Sequence, residues 1–557
     1  MTVKAFVEGS GEARELDVFA PVGSVLPETA PDGLPHVAAL ANNDVVSLAT
    51  PLAANARVRG LTARTDEGWH VVFRSFALLL CAAARDALPG NVRLRVLHSL
   101  RCGMFAALRG SEDGPERPAT EAETAAVERR MRELVASDVP VTEETCGYEE
   151  AVALFAAEGR HDEVGLLSHR NDPVVLLVRC GSFATLRHGP CVHRTGLLGA
   201  FSLFARHGGI VLQVPSREDP SRPAPFVPEP ELVRIHRERA RQGDLVGVRC
   251  AADLNDAIAQ NRTGEVVSLS EALHDKSFAA LAAEIAGRAP APRLVLIAGP
   301  SSAGKTTSCR RLAIHLRVSG LRPVQLSTDD YFVPEAEDPI GPDGKPDYED
   351  IRAVDVASLR ADMATLLRGG SVRRRTFDFA AKLPVWPGDS LRLGPRDVIL
   401  LEGIHALNPA VSDGIPREST FKIYLSALPQ LGIDDATVAS STDNRLVRRI
   451  VRDNAFRNRS ARETLAMWAS VRRGEEKWIF PWQSEADVHF NSTLDYELSV
   501  LRPFAEPLLA EVKPADPEYA AARRLAALLR NFNPIPATRV PGDSILREYI
   551  GGSLLDY

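Results

Sequence analysis

The first half of the chain has two different patterns of apolar and polar residues. Residues 1–60 alternate short apolar runs with turn residues, as in VKAFVEG, ELDVFAPVG and VVSLATPL, and this pattern predicts a small sheet-rich module. From there to about residue 215, SFALLLCAAARDAL and ERRMRELVAS have helical periodicity, whereas VRLRVLHSL and GIVLQVP are typical of strands. We therefore expect an α+β domain after the first module.

A proline-rich stretch, PSREDPSRPAPFVPEPE, predicts a linker, and LVRIHRERARQ and SFAALAAEIAGRA after it predict connecting helices. RLVLIAG then predicts a short buried strand, and strand and helix patterns alternate from there to about residue 510. This alternation is typical of an α/β domain with a parallel sheet flanked by helices. We expect four parts, with limits at 1–62, 63–215, 216–290 and 291–557.

Composition and charge narrow the class of protein. The 557 residues are 45% hydrophobic and 25% charged, as in soluble multidomain proteins. The 66 basic and 73 acidic residues give a net charge of −7, which argues against a globally basic nucleic-acid binder but allows a local basic patch. We therefore expect no DNA partner.

The chain also lacks the sequence signals of membrane insertion and of oxidised cysteines. Its longest apolar run, 76–84, is shorter than the ~18 residues of a membrane span. The first residues do not have the apolar core of a signal peptide. The seven cysteines are dispersed, which predicts reduced thiols. We expect a cytoplasmic protein without a membrane partner.

The most specific motif is GPSSAGKTT, which fits G-x-x-x-x-G-K-[ST] between a predicted strand and a predicted helix. Its glycines allow the backbone to wrap around phosphate oxygens, and the helix N-terminus favours an anion. Lys305 can reach the β- and γ-phosphates, and the Thr306 hydroxyl can ligate Mg²⁺. The structural alternative is a glycine-rich turn before a helix. The residues predicted to bind ATP here are Gly299, Ser301, Ser302, Ala303, Gly304, Lys305, Thr306 and Thr307.

Two further strands end in carboxylates. PVQLS is followed by Asp329 and Asp330, and DVILL ends at Glu402. Ligands bind beyond the carboxyl ends of parallel strands, so both sites should face the phosphate loop. One carboxylate could hold Mg²⁺, and the other could accept the proton of an attacking hydroxyl. The alternatives are that Asp330 caps a helix and that Glu402 is a solvated strand end.

An arginine-rich segment, RLVRRIVRDNAFRNRSARETL, begins at Arg445 and repeats arginine at helical spacing. Phosphoryl transfer concentrates negative charge, and a positively charged lid stabilises that charge while it excludes water. The alternatives are a solvated basic helix and a nucleic-acid patch.

Taken in order, GPSSAGKTT, LSTDDYF, FDFAAK, VILLEGIHALNP and RRIVRDNAFRNRS resemble the uridine kinase and phosphoribulokinase branch of P-loop kinases, over about 291–510. The resemblance implies transfer of the γ-phosphoryl group of ATP to a ribose 5′-hydroxyl, with Asp329 as general base and Glu402 near Mg²⁺. Uridine or cytidine is the expected acceptor, and another sugar or nucleotide is the alternative. A homo-oligomer is also expected.

The resemblance assigns further residues by position. The lid arginines match at Arg449, Arg452, Arg457 and Arg459, with Arg452 and Arg457 facing ATP and with Arg449 and Arg459 nearer the nucleoside. Together with Lys305 and Asp329, Arg457 is expected to be catalytic.

The nucleoside pocket departs from the uridine–cytidine kinase pattern. Glu349 stands where that pattern has an aspartate, and it retains a ribose-binding carboxylate. Phe377, Phe379 and Lys382 occupy the region where the family has a tyrosine, a phenylalanine and a histidine. Loss of the tyrosine hydroxyl and of the histidine removes hydrogen bonds that discriminate between bases, so the base preference stays open.

The first half resembles the N-terminal domains of threonyl-tRNA synthetases. Residues 1–60 resemble the ubiquitin-like TGS domain, and about 63–215 resemble the second N-terminal domain, through LHSLRCG and FATLRHGPCVHRTG. The stretch 464–498 is similar to the long bacterial subgroup of uridine kinase-like proteins that carries this region. RNA binding by the first half is therefore an alternative function.

The editing site of those synthetases uses HxxxH with CxxxH, and this chain departs from both. Cys102 follows His98, and RHGPC replaces the CRGPH run. These changes argue against deacylation of mischarged tRNA. A zinc site formed by His98, Cys102, Cys191 and His193 is one alternative, and a site without function is the other.

Overall fold

A computed structural model describes residues 2–8, 13–100, 103–110, 116–228, 230–429 and 431–556. In chain order the strands are β1 (Thr2–Val7), β2 (Ala13–Asp17), β3 (Ala38–Ala41), β4 (Asp44–Val46), β5 (Ala56–Leu61), β6 (Arg93–Leu100), β7 (Gly103–Arg109), β8 (Glu116–Arg117), β9 (Val141–Gly147), β10 (Val174–Cys180), β11 (Phe183–Leu186), β12 (Ser202–Arg206), β13 (Gly209–Gln213), β14 (Leu294–Ala298), β15 (Arg322–Ser327), β16 (Ser371–Arg373), β17 (Thr376–Asp378), β18 (Leu383–Val385), β19 (Ser390–Arg392), β20 (Asp397–Glu402), β21 (Thr420–Ser426) and β22 (Val488–Asn491). The α-helices are α1 (Asp66–Ala87), α2 (Glu121–Ala136), α3 (Tyr148–Ala157), α4 (His161–Ser168), α5 (Pro230–Val246), α6 (Ala251–Ala259), α7 (Thr263–Gly287), α8 (Lys305–Val318), α9 (Val356–Leu367), α10 (Pro409–Ser412), α11 (Ser441–Arg457), α12 (Ala461–Trp478), α13 (Glu497–Glu511), α14 (Tyr519–Leu529) and α15 (Arg547–Ile550).

The contacts divide the chain into two compact units. The first unit comprises 1–263, 429–440 and 505–535. The second unit comprises 264–428, 441–504 and 536–557. Each unit combines several separate segments of the chain and is defined by its internal contacts. The four domain limits expected from the sequence remain predictions.

The first unit begins with a mixed five-stranded sheet in the order β2-β1-β5-β3-β4. β1 runs parallel to β5 and antiparallel to β2. Along β1 the buried residues Val3 and Ala5 alternate with exposed ones, because one face of the sheet covers a small apolar core and the other faces water. The expected ubiquitin-like β-grasp module is confirmed.

The remainder of the first unit packs two antiparallel sheets with helices, as expected of an α+β domain. One sheet has the order β12-β13-β7-β6, with β8 beside β7, and the other has the order β11-β10-β9. Helix α1 lies in the same apolar core as both sheets. Among the described residues, α1 is long and apolar enough to cross a membrane by length and composition, and 72% of its apolar window is buried within the structure.

The second unit is built on a parallel five-stranded sheet in the order β15-β20-β14-β21-β22. All five residues of the central strand β14 are buried, because an apolar cluster covers each face of the sheet. Phe278 and Leu312, from α7 and α8, lie in one cluster, and Leu359 from α9 lies in the other. The expected α/β domain with a parallel sheet flanked by helices is confirmed.

The register of the strands brings the candidate site residues to one edge of this sheet. Glu402, the last residue of β20, lies opposite Ile297 of β14 and Ser327 of β15. The loops that follow these strands therefore leave the sheet side by side, at the carboxyl edge where ligands of such sheets bind.

Candidate nucleotide and catalytic site

The phosphate loop connects β14 to α8 through two residues of positive φ, Ser302 at +59° and Gly304 at +80°. A Cβ atom at position 304 would lie 2.5 Å from Cδ1 of Ile545, so the turn requires glycine for both its conformation and its packing. Helix α8 begins at Lys305, which leaves the first N–H groups of the helix directed at the loop. An anion bound there would also be favoured by the helix dipole.

Lys305 lies half-buried among carboxylates. Burial lowers the pKa of its ammonium, while the charges of Glu402 and Asp329 oppose that shift. Its Nζ atom donates to the Pro300 carbonyl at 3.2 Å. The structure thus places the loop lysine beside both carboxylates predicted from the sequence.

Glu402 accepts hydrogen bonds from two hydroxyl groups at the end of the sheet. The Thr306 Oγ1 atom lies 3.4 Å and the Ser327 Oγ atom 3.1 Å from its Oε1 atom. Burial, followed by the charge of Asp329, raises the pKa of Glu402 to about 7. A carboxylate and two hydroxyls form the all-oxygen donor set that Mg²⁺ prefers, so these residues fit the predicted metal.

Asp329 and Asp330 have different surroundings although they are adjacent. Asp330 caps the short 3-10 helix Thr328–Tyr331 through the backbone N–H of Ser327, which fits the structural alternative for this residue. Asp329 is exposed, and its charge acts on the Lys305 ammonium of the loop. Partial removal from water raises the pKa of Asp329, and Lys305 opposes this shift. Asp329 is therefore the acidic residue of this pair that is available to a substrate.

Three arginines of α11 are buried, and Arg445 and Arg448 are the most deeply buried of them, so the alternative of a solvated basic helix does not apply to these residues. Arg445 pairs with the buried Glu475 and donates to the Ser301 carbonyl at 3.0 Å. Arg448 pairs with Glu497 at 2.6 Å and donates to the Ser302 carbonyl at 3.3 Å. These two arginines therefore bind backbone carbonyl groups of the phosphate loop.

Three of the four arginines predicted to form the lid lie around one buried carboxylate, Asp453, and the fourth contacts only its backbone. Its oxygens are 3.3, 3.6 and 3.2 Å from Arg449, Arg452 and Arg457, respectively. The backbone N–H of Arg459 donates to the backbone carbonyl of Asp453 at 3.1 Å. The Nη1 atom of Arg449 also donates to the Ser301 hydroxyl at 2.6 Å, so this residue contacts the phosphate loop itself.

Glu349 lies near the phosphate loop, beside helix α12. A Cβ atom at Gly474 of α12 would lie 2.2 Å from the Cβ atom of Glu349, so the absence of a side chain there allows this close approach. The next residue, Glu475, accepts from the Ser301 backbone N–H at 3.1 Å. Burial, followed by the charge of Glu475, raises the pKa of Glu349 to about 7.

The hairpin of β17 and β18 presents an aromatic group. The Phe377 and Phe379 rings are 5.2 Å apart, and Phe332 lies 5.7 Å from Phe377. Phe379 is 64% exposed. Lys382, expected near the base, forms an ion pair with Glu335. The structure therefore brings the two predicted phenylalanines together and places the Lys382 ammonium on a neighbouring carboxylate.

The synthetase-like site of the first unit contains a different set of contacts. The His98 ring stacks on His236, with centroids 3.5 Å apart, and burial holds the pKa of His98 well below its usual value. Cys191 is buried, and His188 binds Asp434 at 2.7 Å. Cys102 lies outside the described residues. Across the described ranges, no group of three or more His, Cys, Asp or Glu side chains is arranged to hold a metal ion, and the zinc alternative remains a prediction.

Four residues in contact with the site were not found by sequence reasoning: Asp453, Glu475, Glu548 and Tyr549. Asp453 lies four residues after Arg449 and four before Arg457, and this spacing on one helix face was an available signal. Glu475, Glu548 and Tyr549 reach the site from distant segments, and no local pattern marks them.

Known proteins are similar to two parts of the chain, the N-terminal part and residues 294–499. Residues 294–499 match the model of the Phosphoribulokinase / Uridine kinase family. The N-terminal part is similar to a threonine–tRNA ligase of Syntrophotalea carbinolica, at 30% identity over 34% of this chain, and to that of Citrifermentans bemidjiense, at 26% identity over 34% of this chain. The chain spans 28% of the length of each ligase.

Two solved structures also align with the chain. A possible uridine kinase from Bacillus stearothermophilus has 20% identity and a TM-score of 0.27, over 38% of this chain and 97% of that one. A D-glycerate 3-kinase from Cryptococcus neoformans has 14% identity and a TM-score of 0.21, over 46% of this chain and 87% of that one. Residues 294–499 are therefore similar to the phosphoribulokinase and uridine kinase family, and the N-terminal part of the chain is similar to threonine–tRNA ligases.

Proposed function

We propose that the protein is an ATP- and Mg²⁺-dependent nucleoside kinase that transfers the γ-phosphoryl group of ATP to a ribose 5′-hydroxyl. The observation that carries this proposal is the meeting of the phosphate loop, Glu402 and Asp329 around Lys305 at one edge of the sheet. The match of residues 294–499 to a kinase family supports it.

Each group has a separate task in this reaction. The loop N–H groups and Lys305 bind the donor phosphates, while Thr306 and Glu402 would hold Mg²⁺. When bound, the metal would neutralise charge on the phosphates. Asp329 accepts the proton of the acceptor hydroxyl as its oxygen bonds to the γ-phosphorus and as the bond to ADP breaks. Arg452 and Arg457 stabilise the negative charge of the transferring group.

The acceptor pocket favours recognition of a base by stacking. Phe377 and Phe379 offer ring faces and edges, and Glu349 supplies an acceptor for ribose hydroxyls. The Lys382 ammonium is engaged by Glu335, and Phe377 has no hydroxyl to discriminate bases. A pocket of this kind holds different bases with similar strength, so we propose uridine and cytidine as acceptors and expect a weak preference between them.

A nucleoside panel tests the function directly. With ATP and Mg²⁺, the wild-type protein should release ADP and a nucleoside monophosphate with at least one pyrimidine nucleoside. Lys305→Ala should lower turnover by about 10²-fold or more, because it removes the cation that faces the transferring phosphate. Absence of product across nucleosides, other sugars and nucleotides, together with equal ATP binding by the Lys305→Ala variant, would refute the proposal.

Three further assignments accompany this proposal. We propose that the protein acts in the cytoplasm and that it assembles as a homo-oligomer. RNA binding by the N-terminal part is an alternative function, supported by its similarity to threonine–tRNA ligases. A filter-binding assay with tRNA at two salt concentrations tests it, because phosphate contacts weaken steeply with salt.

A further inference from the structure

The C-terminal segment of the second unit, residues 536–556, packs against the phosphate loop although it lies beyond the family match. Three residues of this segment are fully buried: Ile545, Leu546 and Tyr549. The Arg547 guanidinium donates to four carbonyl oxygens of the same segment, of which two belong to Pro541 and Gly551. The segment is therefore a fixed part of the unit.

Tyr549 attaches this segment to the loop. Its hydroxyl donates to the Ser302 carbonyl at 3.2 Å and accepts from Arg448 at 3.3 Å. Gly304 lies on the same side, since a Cβ atom there would be 3.2 Å from the Tyr549 hydroxyl. Because Ser302 and Gly304 are the two loop residues of positive φ, Tyr549 contacts the loop where its backbone turns.

The neighbouring residue, Glu548, reaches the N-terminus of α8. Its Oε2 atom accepts from the Thr307 hydroxyl at 2.7 Å and lies 3.4 Å from the Thr307 backbone nitrogen. Its Oε1 atom lies 3.7 Å from Nη1 of Arg452, and the side chain is 10% exposed. One carboxylate thus contacts three donors that the loop and the lid would offer to a nucleotide phosphate.

The positions of these donors identify which phosphate is affected. Backbone N–H groups of a P-loop surround the phosphates nearest the nucleoside, while the loop lysine reaches the far end of the chain of phosphates. Thr307 follows the lysine by two residues at the start of α8, and Arg452 was assigned to ATP. A carboxylate on Thr307 and Arg452 therefore stands where a negatively charged phosphate oxygen would bind.

We propose that Glu548 is a further residue of the ATP site. Its carboxylate competes with an ATP phosphate for Thr307 and Arg452 and thereby sets the affinity for ATP. The inference rests on the donor half of the proposed function. ATP binding requires the Glu548 side chain to turn away, while Tyr549 and the buried apolar residues keep the segment in place. Displacing the Glu548 carboxylate from its donors, and keeping its negative charge close to the bound phosphates, costs free energy. This cost weakens the affinity for ATP.

Titration calorimetry with ATP and Mg²⁺, without acceptor, tests the proposal. Glu548→Gln retains the shape of the side chain and removes its charge, so it should lower the Kd for ATP by about fivefold or more. Asp556→Asn is the matched control, because it removes one exposed carboxylate from the same segment. It should leave the Kd unchanged within about twofold. In steady-state assays, Glu548→Gln should lower KM for ATP and leave KM for the acceptor unchanged.

The outcomes separate this inference from the proposed function. An unchanged or higher Kd for ATP in the Glu548→Gln variant, with clear binding by the wild type, overturns the role of Glu548 and leaves the kinase proposal intact. Absence of ATP binding by the wild type and by the variant overturns both.

Hydrogen exchange on the wild-type protein supplies a second measurement that does not depend on the variant. Addition of ATP should protect the amides of 301–307 and leave exchange in 547–551 unchanged, because only the Glu548 side chain turns away while Tyr549 and the buried residues hold the backbone of the segment. Protection of both segments would overturn the proposal.

Discussion

Lys305 shows how single residues in this site depend on one another. Burial alone would favour its neutral form, and Glu402 and Asp329 beside it favour the ammonium. The same proximity acts in reverse on the carboxylates, where Lys305 opposes the rise in pKa that burial causes. Removal of any one of the three charges therefore shifts the pKa of the other two groups.

Asp329 and Asp330 allow a matched test at the residue scale. Asp329→Asn should lower kcat by about 10²- to 10⁴-fold, because it removes the group that accepts the hydroxyl proton. Asp330→Asn should retain most activity, since Asp330 caps a 3-10 helix and an asparagine can accept the same hydrogen bond. Steady-state kinetics of both variants provide the measurement. Equal losses in the two would contradict the assignment of the base.

Glu402 predicts a pH dependence of stability. Its pKa in the folded protein is about 7, above the value of about 4.3 for an unperturbed glutamate. The folded state thus binds this proton more tightly, so the stabilisation is complete below the unfolded pKa and is lost as pH rises through about 7. The Tm of the ligand-free protein should fall between pH 6 and pH 8, and less so in Glu402→Gln. Identical pH slopes in both proteins would contradict the raised pKa.

At the scale of elements, α11 is organised by a carboxylate that it carries itself. Asp453 is fully buried and contacts arginines one turn before it and one turn after it. The helix thereby gathers like charges that would otherwise repel one another, and it orients them before any phosphate is bound.

The substitution Asp453→Asn tests this organisation. We expect a loss of about 1–3 kcal/mol in unfolding free energy, below the full cost of a broken buried pair because Arg457 is 48% exposed. KM for ATP should rise as well. Asp413→Asn, which removes an exposed pair with Arg360, is the control and should cost at most about 0.5 kcal/mol. Urea denaturation gives both values, and equal effects would contradict the proposed role of Asp453.

The same helix shows what the sequence could predict and what it could not. Periodicity predicted a helix with arginines on one face, and the strand–loop–helix context located the phosphate loop, because both signals are local. The burial of Arg445 and Arg448 was not predictable, since their partners, Glu475 and Glu497, lie 30 and 49 residues away. Long-range pairs of this kind leave no periodic trace in the sequence.

At the scale of the whole molecule, the segment 429–440 lies within the family-matched range 294–499 but belongs to the first unit. Asp434 of this segment is fully buried, and it accepts from His188 at 2.7 Å and from the Thr185 hydroxyl at 3.4 Å. Asp435 lies 3.7 Å from Arg160. His188, in the run that resembles the synthetase editing motif, thus contacts a carboxylate from far along the chain.

Asp434→Asn should weaken the first unit. The variant retains the side-chain shape but removes the charge that accepts from His188, and we expect a loss of about 1–3 kcal/mol in unfolding free energy. Urea denaturation followed by the fluorescence of Trp69 in α1 measures it. Glu150→Gln, at an exposed position of α3, is the control and should change stability by no more than about 0.5 kcal/mol. Equal midpoints in the two variants would contradict the role of Asp434.

The placement of the segment 429–440 has a practical consequence for dissecting the protein. Cutting the chain between 263 and 264 to express the second part alone would separate Asp434 from His188 and Asp435 from Arg160. The shortened protein would then carry acidic residues suited to a buried environment on a segment that joins β21 to the arginine helix α11. Loss of activity in such a fragment would therefore not assign a catalytic task to the removed residues, and substitutions in the intact chain are the sounder way to separate the two contributions.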